Sequence, residues 1–150
     1  MKIFICLALT SILLLLPIRL SASEAIDITQ YMILADNNVV GITVSSGFVR
    51  SSDGGRTWNQ RNNGLPKKIV YPFKNDEYRR LTSFNVDPLN VERIVITDSS
   101  SIFLSSDGGS NWEEIPTGGP LKKSNYFTSV SLDPGNADRI ILGTSFNGIF

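Results

Sequence analysis

The sequence predicts an all-β chain: a β-propeller of four-stranded antiparallel blades, with about two and a half blades present. Three observations carry that reading. The octapeptide SSDGGRTW at Ser51–Trp58 returns as SSDGGSNW at Ser105–Trp112, 54 residues later in a chain of 150. Aligned backwards from each Asp-Gly-Gly, Val40–Gly55 lies over Ile94–Gly109 with apolar residues at the same offsets, and Val86–Ile96 returns as Leu132–Leu142. No window after the N-terminal apolar run carries a helical period. Repeats of about 45–55 residues with four short strands each are the signature of propeller blades.

The elements follow in order. Lys2, an apolar run from Ile3 to Leu16, then Pro17, Arg19 and small residues have the layout of a secretory signal peptide, with cleavage after Ser23 or after Ala25. The run falls short of the roughly 18–20 apolar residues that span a bilayer. Export to the periplasm or the exterior is therefore expected, with no stable membrane insertion once residues 1–23 are removed. The first blade is expected at about 26–65, the second at about 80–117 and an incomplete third at about 126–150. In the second blade LTSFNVD alternates as a strand, Asp-Pro-x-Asn makes a turn, RIVIT is a short buried strand and SIFLSS is a third. Asp-Gly-Gly then turns the chain into NWEEIP. LGTSFNGIF stops where the earlier copies run on into Ser-x-Asp-Gly-Gly. A truncated reading frame is the preferred expectation, a need for partners to complete the sheets the other, and Ile149-Phe150 would begin an unfinished third strand.

Composition excludes several chemistries. The single cysteine, Cys6, lies in the apolar run with the wrong neighbours for lipoprotein acylation, so the mature chain would have no disulfide, thiol nucleophile or thiolate-bound metal. The absence of histidine removes the commonest general base and metal ligand. With Lys2 and Arg19 gone, the 14 basic residues fall to 12 against 14 acidic ones, or 13 if Glu24 is lost. No bulk charge argues for nucleic acid or an anionic membrane.

The repeated octapeptide is accounted for by folding. Glycines at two positions supply the positive φ of a tight turn, and an Asp between Ser and Gly can accept backbone N–H groups across it. Asp53 and Asp107 are thus expected to staple their own loops, with Trp58 and Trp112 sealing the blade at its outer strand. Each loop has one carboxylate where a calcium loop would gather several, so no metal is indicated, and nothing calls for a cofactor.

Ser51-x-Asp53-x-Gly55-x-Thr57-Trp58 and Ser105-x-Asp107-x-Gly109-x-Asn111-Trp112 resemble Asp-box repeats, also called bacterial neuraminidase repeats, at every defining position. The resemblance covers most of Val40–Phe150. It implies a propeller with the boxes in the hairpin between the third and fourth strands of a blade. It does not imply sialidase activity, since such boxes occur also in sortilin-type receptor domains, xyloglucan-cleaving hydrolases and photosystem II assembly factors. The Asp-Pro-x-Asn turn is most similar to these last three groups.

Against the sialidase pattern, none of the arginines sits in a recognisable Arg-Ile-Pro-like segment. Xyloglucan-cleaving hydrolases need paired carboxylates about 5–10 Å apart. The acid of their first blade would fall at Thr43-Val44-Ser45, where Val44 has no carboxylate. Asp98 takes the matching place one blade later as a weak catalytic candidate, against a plain reading as a solvated loop acid. Asp87 and Asp133 precede proline in turns, where Asp is favoured for local hydrogen bonds.

Meander geometry sorts the loops onto two faces. The octapeptides and Asp-Pro turns share one. The other collects Val44–Gly47, Asp98–Ser101 and Ser145–Gly148 with the connections Gly64–Arg80 and Thr117–Tyr126. The first connection mixes Lys67, Lys68 and Arg79 with Tyr71 and Tyr78, so Tyr71, Tyr78, Arg79 and Tyr126 are the candidate binding residues. Two functions remain in view: an exported non-catalytic propeller that binds a protein or glycan or assists an assembly, or the N-terminal part of a propeller glycoside hydrolase.

Overall fold

The computed structural model describes residues 26–68, 77–117, 126–136 and 138–150. Its strands are β1 (Ile28–Ile33), β2 (Val39–Thr43), β3 (Phe48–Ser51), β4 (Asn59–Gln60), β5 (Ser83–Val86), β6 (Ile94–Thr97), β7 (Ile102–Ser105), β8 (Glu113–Ile115), β9 (Phe127–Leu132) and β10 (Ile140–Thr144). They form two four-stranded antiparallel meanders, β1–β4 and β5–β8, and a third sheet of β9 and β10. The chain is a segment of a β-propeller, and each sheet is called a blade below. Among the described residues no helix is long and apolar enough to cross a membrane.

The middle strands β2 and β6 are buried along their whole length, which is why they read as continuous apolar runs rather than as alternation. Each blade packs face to face on the next. Val40, Ile42 and Phe48 of the first blade meet Phe84, Val86, Ile94, Ile96, Phe103 and Trp112 of the second. The opposite face of the second blade, through Val95 and Ile102, meets Phe127, Val130, Leu132 and Leu142 of the third. Polar side chains stitch the same seam: the N–H groups of Val130 and Leu132 donate to Ser83 Oγ (3.3 Å) and Asn85 Oδ1 (3.0 Å).

The strand register revises one detail of the repeat alignment. Ser51 pairs with Val39 and Val49 with Gly41, whereas Ser105 pairs with Ile94 and Phe103 with Ile96. Val39, not Val40, is therefore the counterpart of Ile94. The loop between second and third strands is one residue shorter in the second blade, and a one-residue slip exchanges the two faces of a strand. Val40 consequently looks forward to the second blade while Ile94 looks back to the first. The same shift aligns Asp98 with Thr43 rather than Val44: the N–H groups of Thr43 and Asp98 donate to Gly47 and Ser101 carbonyls, and that of Thr144 to Gly148.

The two tryptophans also part company. Trp112 is buried edge-on against Phe48 with ring centroids 5.1 Å apart, and its Nε1 donates to the Arg61 carbonyl (2.9 Å). It joins blades rather than sealing its own outer strand. Trp58 is only partly buried.

Candidate functional site

The first of the two loop faces is built of the octapeptide turns. Gly54, Gly55, Gly108 and Gly109 all have φ between 68° and 89°, the left-handed region that side-chain-bearing residues resist. Ser51 Oγ donates to Asp53 Oδ1 (2.7 Å) and accepts the Gly55 N–H (2.8 Å). Asp53 Oδ1 accepts the N–H groups of Arg56 and Thr57 (2.9 Å each), and Oδ2 accepts the Thr57 hydroxyl (2.6 Å). The second turn repeats the pattern. Ser105 Oγ donates to Asp107 Oδ1 (2.9 Å), Asp107 Oδ1 accepts the Asn111 N–H (2.8 Å), and the Asn111 amide takes the place of the Thr57 hydroxyl on Oδ2 (2.6 Å).

Each turn is also tied to the hairpin between the first two strands of its blade. The Gly54 N–H donates to the Asn37 carbonyl (2.8 Å) and that of Gly108 to the Glu92 carbonyl (2.9 Å). The second octapeptide is gripped by the first blade as well. Arg50 Nη1 donates to the Gly108 carbonyl (3.3 Å) and pairs with Glu92, Arg61 Nη1 donates to Ser110 Oγ (2.8 Å), and Trp112 N–H donates to the Asn63 carbonyl (2.8 Å). A Cβ added at Gly109 would overlap the Phe48 ring. A depression of about 520 Å³ lies beside Asp107, Asn111 and Asn63, but their polar groups are already engaged with one another: the Asn63 amide donates to Asn111 Oδ1 (2.6 Å).

These carboxylates are held ionised by their turns. The Thr57 hydroxyl and N–H depress Asp53 most, the Asn111 amide and N–H depress Asp107, and backbone N–H groups with Arg93 or Arg139 depress Asp87 and Asp133. Groups whose folded pKa lies below the ordinary 3.8 contribute stability above that value and lose it as pH falls through the folded pKa. With no histidine in the chain, the melting temperature is expected to stay level between about pH 5 and 8 and to fall from about pH 4 downward. Loss of stability between pH 8 and 5 in a melting series would contradict this.

The other face holds the candidate binding groove, of about 570 Å³, lined by Val44, Ser45, Lys68, Glu77–Thr82 without Leu81, Asp98 and Ser99. Backbone bonds fix its walls. Tyr78 N–H donates to the Ser45 carbonyl (3.0 Å), Phe127 N–H to that of Ser99 (3.3 Å), and Ser145 N–H to that of Tyr126 (3.0 Å). Loops between second and third strands thus clasp the connections between blades. Asn62, buried, braces the first such loop: its Oδ1 accepts the Phe48 N–H and its Nδ2 donates to the Ser46 carbonyl, both at 2.8 Å.

Asp98 sits in the floor of the groove and is 2% exposed, which corrects its reading as a solvated loop acid. Its Oδ1 accepts the N–H groups of Ser100 (2.7 Å) and Ser101 (2.6 Å), and its Oδ2 faces Arg79 Nη1 at 3.4 Å. In the other two blades a threonine fills this role: Thr43 and Thr144 hydroxyls accept the N–H groups of Ser46 and Asn147. The carboxylate therefore caps its shorter loop and anchors an arginine whose side chain remains 51% exposed. Thr82 Oγ1 adds a bond to the Asp98 carbonyl (3.2 Å).

Of the residues singled out from sequence, Tyr78 and Arg79 line this groove. Tyr126 is exposed at the adjoining depression, which shares Arg80, Thr82 and Ser99 with it. Tyr71 lies outside the described residues. Lys67 Nζ stands 6.0 Å from the centre of the Tyr78 ring, and Lys68 lies 4.0 Å from Glu77. Sequence reasoning missed Asn62, Arg50 and Glu92. Among the described residues no cluster of three or more Cys, Asp or Glu side chains has the arrangement of a metal site.

No family model matches the chain, and no curated protein matches it. Solved structures do. An ancestral GH74 enzyme superposes with a TM-score of 0.57 at 19% identity over 80% of this chain, and YCF48 bound to D1 peptide with 0.55 at 19% over 83%. The chain spans 14% of the length of the first and 35% of the second. Both are similar to this chain in fold.

Proposed function

We propose that this chain is an exported, non-catalytic Asp-box propeller segment that binds a protein or glycan, or assists an assembly, through the groove between Val44–Ser45 and Arg79–Thr82. The carrying observation is Arg79: one edge of its guanidinium is anchored on buried Asp98 while the side chain stays half-exposed over the groove. A guanidinium held in place before binding loses less conformational freedom when a partner arrives, and its fork suits carboxylates and other planar anionic groups. Arg80, Lys68 and Tyr78 beside it extend the same surface. The octapeptides act as structural staples, since Ser51, Asp53 and Thr57, and likewise Ser105, Asp107 and Asn111, bond to one another within their turns.

The similar folds have hosted both kinds of function: the GH74 protein is an enzyme, and YCF48 has been solved with a peptide bound. The engagement of Asp98 by two backbone N–H groups and Arg79 favours binding over hydrolysis. Export rests on the N-terminal Lys2, apolar run and small residues.

The test is pull-down of a binder from the exported fraction, followed by alanine substitution at Tyr78, Arg79, Tyr126 and Tyr71, with Asn90 and Asn136 on the turn face as controls. Substitutions at the anchor positions are expected to weaken binding about tenfold or more, and the controls to leave it unchanged. Loss confined to the controls would refute the assignment. Lys67→Ala and Lys68→Ala should alter association rate and salt dependence more than complex lifetime.

A further inference from the structure

The ligand groove does not end at Thr82. The depression of about 570 Å³ beside Arg79 shares Arg80, Thr82 and Ser99 with a second of about 470 Å³, which Thr29, Gln30 and Tyr126 also line. Arg79 borders the first, and Arg80, likewise exposed, stands where the two join. The surface is thus a continuous trough with two arginines along its length. In its first part Lys68, Arg79 and Arg80 stand against Glu77 and Asp98, an excess of one positive charge. Both carboxylates are directed elsewhere than Arg80: Asp98 lies 3.4 Å from Arg79 and Glu77 4.0 Å from Lys68.

The main chain of the walls is already engaged. The N–H groups of Val44, Lys68, Tyr78, Arg79, Thr82 and Asp98 all donate within the fold, and the carbonyls of Ser45, Glu77 and Ser99 accept. An extended peptide that binds by adding a strand needs a run of free main-chain partners, and the described walls present none. What they present is side chains: the two guanidinium forks, the exposed serines Ser45 and Ser99, and the Tyr126 ring, 62% exposed. A guanidinium matches a carboxylate in two parallel bonds. A hydroxyl both donates and accepts, as its counterpart on a sugar does, and a tyrosine ring offers an apolar face with a polar tip. Carboxylates, many hydroxyls and apolar ring faces occur together in acidic sugars.

We propose that the groove binds a saccharide chain of uronic-acid residues, whose successive carboxylates engage the free edge of Arg79 and then Arg80. Ser45 and Ser99 bond to its hydroxyls, and Tyr126 packs on a sugar ring at the far end. The inference rests on the groove reading above and names the ligand class within it.

The test titrates the full chain by calorimetry with hexamers of galacturonic and of mannuronic acid, their carboxyl-reduced neutral counterparts, and a hexa-aspartate peptide. At least one uronate hexamer is expected to bind about tenfold or more tighter than its neutral counterpart and than the peptide. Arg80→Ala should weaken it about tenfold or more, and Arg80→Lys, which keeps the charge without the fork, should restore only part. Arg79→Lys keeps a cation over Asp98 and should also weaken it, while Asn90→Ala leaves it unchanged. Near-ultraviolet circular dichroism checks that each variant is folded. Binding of neither uronate hexamer at millimolar concentration, equal binding of the peptide or of the neutral counterparts, or an Arg80→Ala variant that binds as the wild type does would each overturn the proposal. The partner captured by pull-down is titrated on the same variants. If Arg79→Lys weakens that partner while no uronate hexamer binds, the saccharide is refuted and the groove stands; if neither responds to the groove substitutions, both fall.

Discussion

Replacing Trp112 by alanine is expected to lower stability by about 3–5 kcal/mol, the usual cost of emptying a buried aromatic site. The ring fills the seam between first and second blades against Phe48, and its removal also leaves the Arg61 carbonyl without the indole N–H. For a domain of this size each kcal/mol moves the midpoint by several degrees, so the melting temperature should fall by on the order of 10 °C or more. Trp58→Ala, at the same place in the first repeat but only partly buried, should cost clearly less. Equal losses for the two would show that the tryptophans serve their own turns and not the seam. Thermal melting followed by circular dichroism reads both variants.

Asp107→Ala should cost about 1–3 kcal/mol, because one carboxylate satisfies the Asn111 N–H, the Asn111 amide and the Ser105 hydroxyl together. The loss should be reproduced in part by acid, since protonation removes the charged acceptor that the turn stabilises. The Asp107→Ala variant should accordingly show a shallower decline below about pH 4 than the wild type. A variant that melted with the wild type would mean that the turn holds without its aspartate.

The fold class was legible in the sequence because its signals are local. Asp53 bonds to Arg56 and Thr57, and Ser51 to Gly55, within a span of four residues, so the chemistry can be read from one octapeptide. The runs at β2 and β6 likewise announce buried strands. What escaped is non-local. Arg50 meets Glu92 and Gly108, and Trp112 meets Arg61 and Phe48, across 42 to 64 residues of chain; nothing in either residue names its partner. Asn62 looks like an ordinary polar residue after a strand, yet it is buried and braces a loop 14 to 16 residues back.

Asp98 shows how one missing residue changes a reading. An ungapped alignment places it opposite Val44 and on a solvated loop. The loop is one residue shorter than in the first blade, so a carboxylate now does the capping that Thr43 and Thr144 do with hydroxyls. Its second oxygen is left for Arg79. The candidate groove owes its anchored arginine to that carboxylate, whose pairing with Arg79 spans 19 residues of chain.

The division of labour between the two faces is tested most directly by measuring melting and binding side by side on three variants. Arg79→Lys keeps a cation beside Asp98 but removes the fork, and Tyr126→Ala alters an exposed side chain; both should melt with the wild type and lose affinity for the captured partner. Asp107→Ala should melt lower and, below its midpoint, bind as the wild type does. The opposite pattern, an Asp107→Ala chain of unchanged melting temperature that no longer binds while Arg79→Lys and Tyr126→Ala bind normally, would contradict the account.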